Sequence, residues 1–282
     1  MLELDGMDAD SLIAMLKASF TLDNFTAMID ISDKLMGMIA VIHATAPKGI
    51  EAQRLKRSIV YYFGFSLCAK GIALQKLGDY KNARHCIEKY SDLSWVQLED
   101  EESLVEIEYY KDTAKANTFV LDLLEGKEEV LPEYVKFLKM GAREELTAGL
   151  LNILDSALRY SYPVDWALEE LQSDVEKPDD TSPAVDVRYY IEYIHLLSVY
   201  LYKRGKSAIA INLTLENIVL SGKLFDRTGF RKAIAFYELV RAEANISQLQ
   251  EYHAIMRNIL EGEFNDENVE KEAFIIDNRI AD

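Results

Sequence analysis

Apolar residues recur at steps of three and four along almost the whole of this 282-residue chain, and the stretches that break the pattern are short. That spacing places the apolar side chains on one face of successive α-helices, and the short breaks make neighbouring helices antiparallel. Only 5 prolines and 13 glycines punctuate the chain, too few for the turns of a many-stranded protein. An all-α fold is therefore expected.

The first helical pair is predicted over Ser11–Phe20 and Asp23–Thr45, with Leu12, Leu16, Phe25, Ile29 and Leu35 facing inward. A long helix is expected from Glu51 to Leu77, stopped by Gly78, and a shorter one from Asp79 to Tyr90, because glycine supplies a left-handed stop and aspartate a cap. Glu101–Glu125 and Glu128–Met140 form the next pair, with Pro132 tolerated in a first turn, and Arg143–Arg159 follows. Beyond them come Asp186–Arg204, Ser207–Ser221, Arg227–Ala242 and Ser247–Leu260, and a last short helix uses Val269, Ala273, Ile276 and Ile280. The acidic, proline-containing stretch SDVEKPDDTSP, residues 173–183, reads as a loop between residues 1–172 and 184–282.

Charge and composition exclude several classes. The net charge of −17 repels a phosphate backbone, so the chain by itself makes a poor nucleic-acid binder. Cys68 and Cys86, the only cysteines, sit inside apolar helical patterns, which suits a reducing cytoplasm. Met1–Asp10 is acidic and lacks the pattern of a secretion signal. The most apolar stretch, Leu35–Ala46, falls short of the ~20 residues that cross a bilayer, so no membrane association is expected. His43, His85, His195 and His253 lie far apart, and no metal-ligand spacing, nucleotide-binding glycine loop or nucleophile elbow occurs. Carboxylate pairs such as Glu101 and Glu102 read as a solvated face. No cofactor, no metal and no catalysis are expected.

One constant step relates two of the hairpins. Adding 127 carries Leu67, Gly71, Leu74, Gly78, Ala83 and Ile87 onto Ile194, Ser198, Leu201, Gly205, Ala210 and Thr214. Small residues fall where helices touch, larger ones where they fill space, and glycine where the chain reverses. The spacing resembles the tetratricopeptide repeat, and GDYKNARHCIEKY, Gly78 to Tyr90, matches its turn and second helix well. The second copy departs from it, with Lys206-Ser207 in place of Asp-Tyr and Thr214 in place of a large apolar residue. This resemblance implies a right-handed α-solenoid of antiparallel helix pairs.

Three longer segments, VYYFGFSLCAKGIALQKLGDYKNARHCIEKYSDLSW, AKANTFVLDLLEGKEEVLPEYVKFL and FRKAIAFYELVRAEANISQLQEYHAIMRNIL, are similar to the C-terminal regulatory region of helix-turn-helix transcriptional regulators of Bacillus and relatives. That similarity covers about Asp23 to Leu260. It implies helical repeats that sense a signal or dimerise, beside a phage-repressor-type domain that binds DNA. No such domain is evident here, since Ser11–Phe20 carries one lysine and no basic partner helix. Related quorum-sensing regulators bind short secreted peptides along a concave face, so the resemblance implies a peptide or protein segment as partner.

With the first helix of each pair lining that face, Cys68, Ile72 and Gln75 point into it from one hairpin, and His195, Val199 and Tyr202 from the other by the same step. Asn117 falls where peptide-binding repeats place an amide, a group that both donates and accepts hydrogen bonds. Ordinary packing or a solvated surface accounts for the same positions equally well. Tyr61, Tyr62, Phe63 and Phe65, with Tyr189, Tyr190 and Tyr193, suit core filling better than a ligand floor, because adjacent aromatics point to several faces of a helix; Tyr200 and Tyr202 share that ambiguity. Two functions remain open: a ligand-sensing region of a transcription regulator, or a constitutive scaffold that dimerises, with the apolar strip Val269–Ile280 as one contact.

Overall fold

The computed structural model describes residues 6–45, 55–96, 100–141, 146–179 and 181–261. Among them the chain forms twelve α-helices and no strand. These are α1 (Ala9–Thr21), α2 (Phe25–Thr45), α3 (Ile59–Lys76), α4 (Tyr80–Tyr90), α5 (Glu101–Leu124), α6 (Leu131–Met140), α7 (Leu146–Tyr160), α8 (Asp165–Leu171), α9 (Ala184–Lys203), α10 (Ser207–Lys223), α11 (Arg227–Val240) and α12 (Ile246–Glu261).

Local chemistry sets the helix ends. Side-chain oxygens of Asp8, Asn24, Ser58, Asp79, Asp100 and Asp226 accept backbone N–H groups of the helices that follow them, satisfying donors that have no partner within the helix. At the other ends, Gly78, Gly126 and Gly205 adopt φ of +81°, +87° and +75°. In each case the N–H of the glycine and that of the next residue turn back onto carbonyls of the last helical turn, as from Gly78 to Gln75 and from Asp79 to Leu74. Asp23 and Phe225 close α1 and α10 in the same way at φ of 54° and 57°. Aspartate tolerates that conformation, whereas a bulky aromatic is strained in it.

Two expectations about element limits change. The helix expected from Glu51 begins at Ile59, because Ser58 caps it through its hydroxyl and gives its own N–H to Glu102 at 3.1 Å. After Pro163 the chain forms the short α8, which the sequence reading passed over; Val164, Ala167, Leu168 and Leu171 bury its inner side. The expected terminal helix, Val269 to Ile280, lies outside the described residues.

The chain divides into two compact units between Tyr134 and Val135. The stretch 173–183, expected to separate subdomains, therefore lies inside the second unit. The cause is visible on both sides of it: α7 packs on α9, and Val164 donates its N–H to the Tyr200 hydroxyl at 2.8 Å. The same hydroxyl donates to Asp165 at 2.8 Å, which also accepts Lys206 and pairs with Arg204. Lys177, within the stretch, holds Glu216 of α10 at 2.6 Å.

In the first unit α1 packs on α2, α2 on α3, α3 on α4 and α4 on α5, while α3 also touches α1 and α5. Its core includes Leu12, Leu16, Met28, Ile31, Leu35, Ile39, Val60 and Tyr62, each at most 2% exposed; burying one such aliphatic side chain contributes roughly 1.5–3 kcal/mol. Of the residues expected inward, Phe25 and Ile29 are half-buried against it. In the second unit α9 packs on α7 and α10, α10 on α11 and α12, and α11 also on α9, around Ile211, Leu215, Ile218, Ala233 and Tyr237. Positions related by the 127-residue step share their environments: Ala83 and Ala210 are buried, as are Leu67 and Ile194.

Phe225 is 61% exposed, so its ring loses little when removed. Phe225→Gly relieves the left-handed strain and should stabilise the protein by about 1 kcal/mol in urea denaturation, after the entropy that glycine adds to the unfolded chain is deducted.

Candidate functional site

Two glycines decide how closely alternate helices approach. A Cβ at Gly64 of α3 would lie 2.1 Å from the Tyr110 ring of α5, so that ring occupies space only glycine leaves. The second unit reverses the arrangement, with Gly229 of α11 making room for Ile191 of α9 at 2.2 Å from where its Cβ would stand. The Tyr110 hydroxyl then donates to the Tyr61 carbonyl at 3.2 Å. At the same end, the Arg57 guanidinium binds Glu102 at 3.1 Å and Glu106 more closely, and stacks 4.4 Å from the Tyr61 ring centre.

This contact brings Asn117 of α5 onto Cys68 of α3. The Asn117 Nδ2 donates to the Tyr90 hydroxyl at 2.8 Å and lies 3.8 Å from the Cys68 Sγ. Its Oδ1 accepts no hydrogen bond among the described residues. Burial pushes the Cys68 thiol up to about 11, against the opposing pull of hydrogen bonds from Tyr90 and Asn117. Burial also raises the Tyr90 phenol. Helix α3 carries Cys68, Ile72 and Gln75 as one half-buried stripe, of which Cys68 is the member that Asn117 meets. Tyr90 is the member of this cluster that sequence reasoning missed; its place at the end of the repeat match was the available signal.

The second unit places His195, Val199 and Tyr202 along α9, again half-buried. His195 and Tyr202 both meet the Phe236 ring of α11 edge-on, with centroids 6.1 and 5.8 Å apart. Burial lowers the His195 pKa, the Glu192 carboxylate opposes that and the Lys232 ammonium adds to it; these two pair at 2.7 Å across α9 and α11. The Tyr202 hydroxyl is held by Glu243 at 2.6 Å. Phe236 carried no sequence signal until the helix contact was known.

The aromatic runs divide by helix face. Tyr62 and Phe63 are buried, while Tyr61 and Phe65 are half-exposed, the latter 5.7 Å beneath the Lys17 ammonium. In the second unit Tyr193 and Tyr200 are buried, and Tyr189 and Tyr190 are half-buried. Among the described residues no three histidine, cysteine or carboxylate side chains gather at metal-binding distance, and no helix is long and apolar enough to cross a membrane.

The cluster in the first unit sets an amide oxygen, with its donor side anchored on Tyr90, beside a thiol whose pKa burial raises. With the thiol pushed up to about 11, alkylation of Cys68 by iodoacetamide at pH 8 should run about a hundredfold slower in the folded protein than in urea, followed by mass spectrometry. No family model, curated protein or solved structure matches the chain, which leaves its function to be read from these residues.

Proposed function

We propose that the chain is a right-handed α-solenoid of tetratricopeptide-like helix pairs that binds a short peptide or an extended protein segment along its first-helix faces. It serves in the cytoplasm as the sensing region of a bacterial transcriptional regulator, and it performs no catalysis. With its charge of −17, contact with DNA falls to a helix-turn-helix domain outside this sequence.

The observation that carries this reading is the Asn117 amide. An extended segment needs partners for its backbone N–H and C=O groups, which alternate along it. Asn117 is held by Tyr90 through Nδ2 and keeps Oδ1 for an incoming N–H. The half-buried Cys68 that it meets, with Ile72 and Gln75 one and two turns further along α3, offers apolar contact and a further amide. Within the first unit α3 touches its own partner α4, the preceding α2 and the next first helix α5, and within the second unit α9 touches α10 and α11, which supports the solenoid part of the reading. A ligand that shifts such an array must bind one arrangement more tightly than another.

Thermal denaturation in the presence of pooled short synthetic peptides tests it. A matched peptide at a hundred times its Kd should add about 2.7 kcal/mol of stability, and Asn117→Ala should remove most of that response. A chain that answers to no pool yet remains dimeric on dilution would be the constitutive scaffold instead.

A further inference from the structure

The glycine contacts fix a second correspondence between the helices. Gly64 and Ile191 are equivalent under the 127-residue step, and each receives or fills a gap in its neighbour, so Tyr110 of α5 is the counterpart of Gly229 of α11. Asn117 and Phe236, which meet the equivalent residues Cys68 and His195, are counterparts by the same criterion. Both pairs are separated by 119 residues.

Under that step Glu108 of α5 falls on Arg227 of α11, and Asp112 falls on Arg231. All four are exposed. They lie on the side of each helix turned away from Tyr110 and Gly229, one helical turn apart. At these two positions the outward side of α5 is therefore acidic where that of α11 is basic, whereas the exposed Lys115 and Glu238, further along each helix, carry the opposite signs. Asp112, Arg227 and Arg231 make no ion pair among the described residues, and Glu108 pairs only with Lys111 of its own helix, where both side chains are at least 60% exposed. Apolar side chains accompany the charges: Leu104, Val105 and Tyr109 are 52%, 65% and 58% exposed on α5, and Leu239 is 77% exposed on α11 beside the exposed Ala235.

We propose that α5 of one copy docks on α11 of a second copy, with Glu108 and Asp112 facing Arg227 and Arg231 and the exposed apolar residues covered between them. A like-on-like contact of two α5 faces would set carboxylate against carboxylate. In a chain of net charge −17, the unpaired arginines of α11 give the acidic face a complementary surface within the same sequence. The matched one-turn spacing lets both ion pairs form together, and contacts this short outweigh the screened repulsion between whole chains.

Sedimentation equilibrium of the full chain, from micromolar to millimolar, provides the test. The native protein should self-associate, and Arg227→Glu/Arg231→Glu or Glu108→Arg/Asp112→Arg should each weaken that association by at least about tenfold. Mixing the two reversed proteins should restore it, since each then meets its complement; far-UV circular dichroism confirms that these exposed substitutions leave the fold intact. A native protein that stays monomeric, reversals without effect, or a mixture that fails to associate would each overturn the proposal.

Discussion

Everything distinctive about this molecule depends on how closely two helices that are not sequence neighbours approach each other. Without a Cβ at Gly64, the Tyr110 ring lies against the backbone of α3; without one at Gly229, Ile191 does the same to α11. Large-into-small packing of this kind fixes both the separation and the axial register of the helices. The two units use it in opposite directions, glycine on the earlier helix in one and on the later helix in the other, which preserves the geometry while exchanging the residues.

Register converts packing into chemistry. Because α5 cannot slide along α3 without driving the Tyr110 ring into backbone, Asn117 is held opposite Cys68 and within reach of Tyr90, three side chains from three helices. The same constraint in the second unit sets Phe236 against His195 and Tyr202. One framework thus presents an amide, a thiol and aliphatic carbon in the first unit, and an imidazole, a phenol and an ion pair in the second. Burial raises the pKa of the thiol and lowers that of the imidazole, so it favours the uncharged form of both.

The helices and most of their ends were legible in the sequence, because Gly78, Gly126 and Gly205 and the aspartates that follow or precede helices act within a few residues of themselves. The same local logic fails at Phe225, where an aromatic takes a conformation that favours glycine, and at α8, whose seven residues are too few to show a period. The acidic stretch 173–183 looks like a boundary by composition, yet long-range bonds from Tyr200 to Val164 and Asp165 bind its two sides into one unit. Of the residues that the 127-residue step relates, Cys68, Ile72 and Gln75 lie half-buried along α3 and His195, Val199 and Tyr202 half-buried along α9. The step could not supply Tyr90, Tyr110 or Phe236, because they meet these helices from other helices at separations that no single repeat length encodes.

The most direct test of the packing constraint is the effect of Gly64→Ala measured twice by urea denaturation, in the native background and in Tyr110→Ala. With the ring present, the added methyl group should cost about 1–3 kcal/mol through overpacking. With the ring removed, the same substitution should stabilise by up to about 1 kcal/mol, because alanine is the better helix former. That reversal of sign is what a tyrosine seated on a glycine requires; an effect of equal sign and size in both backgrounds would contradict it.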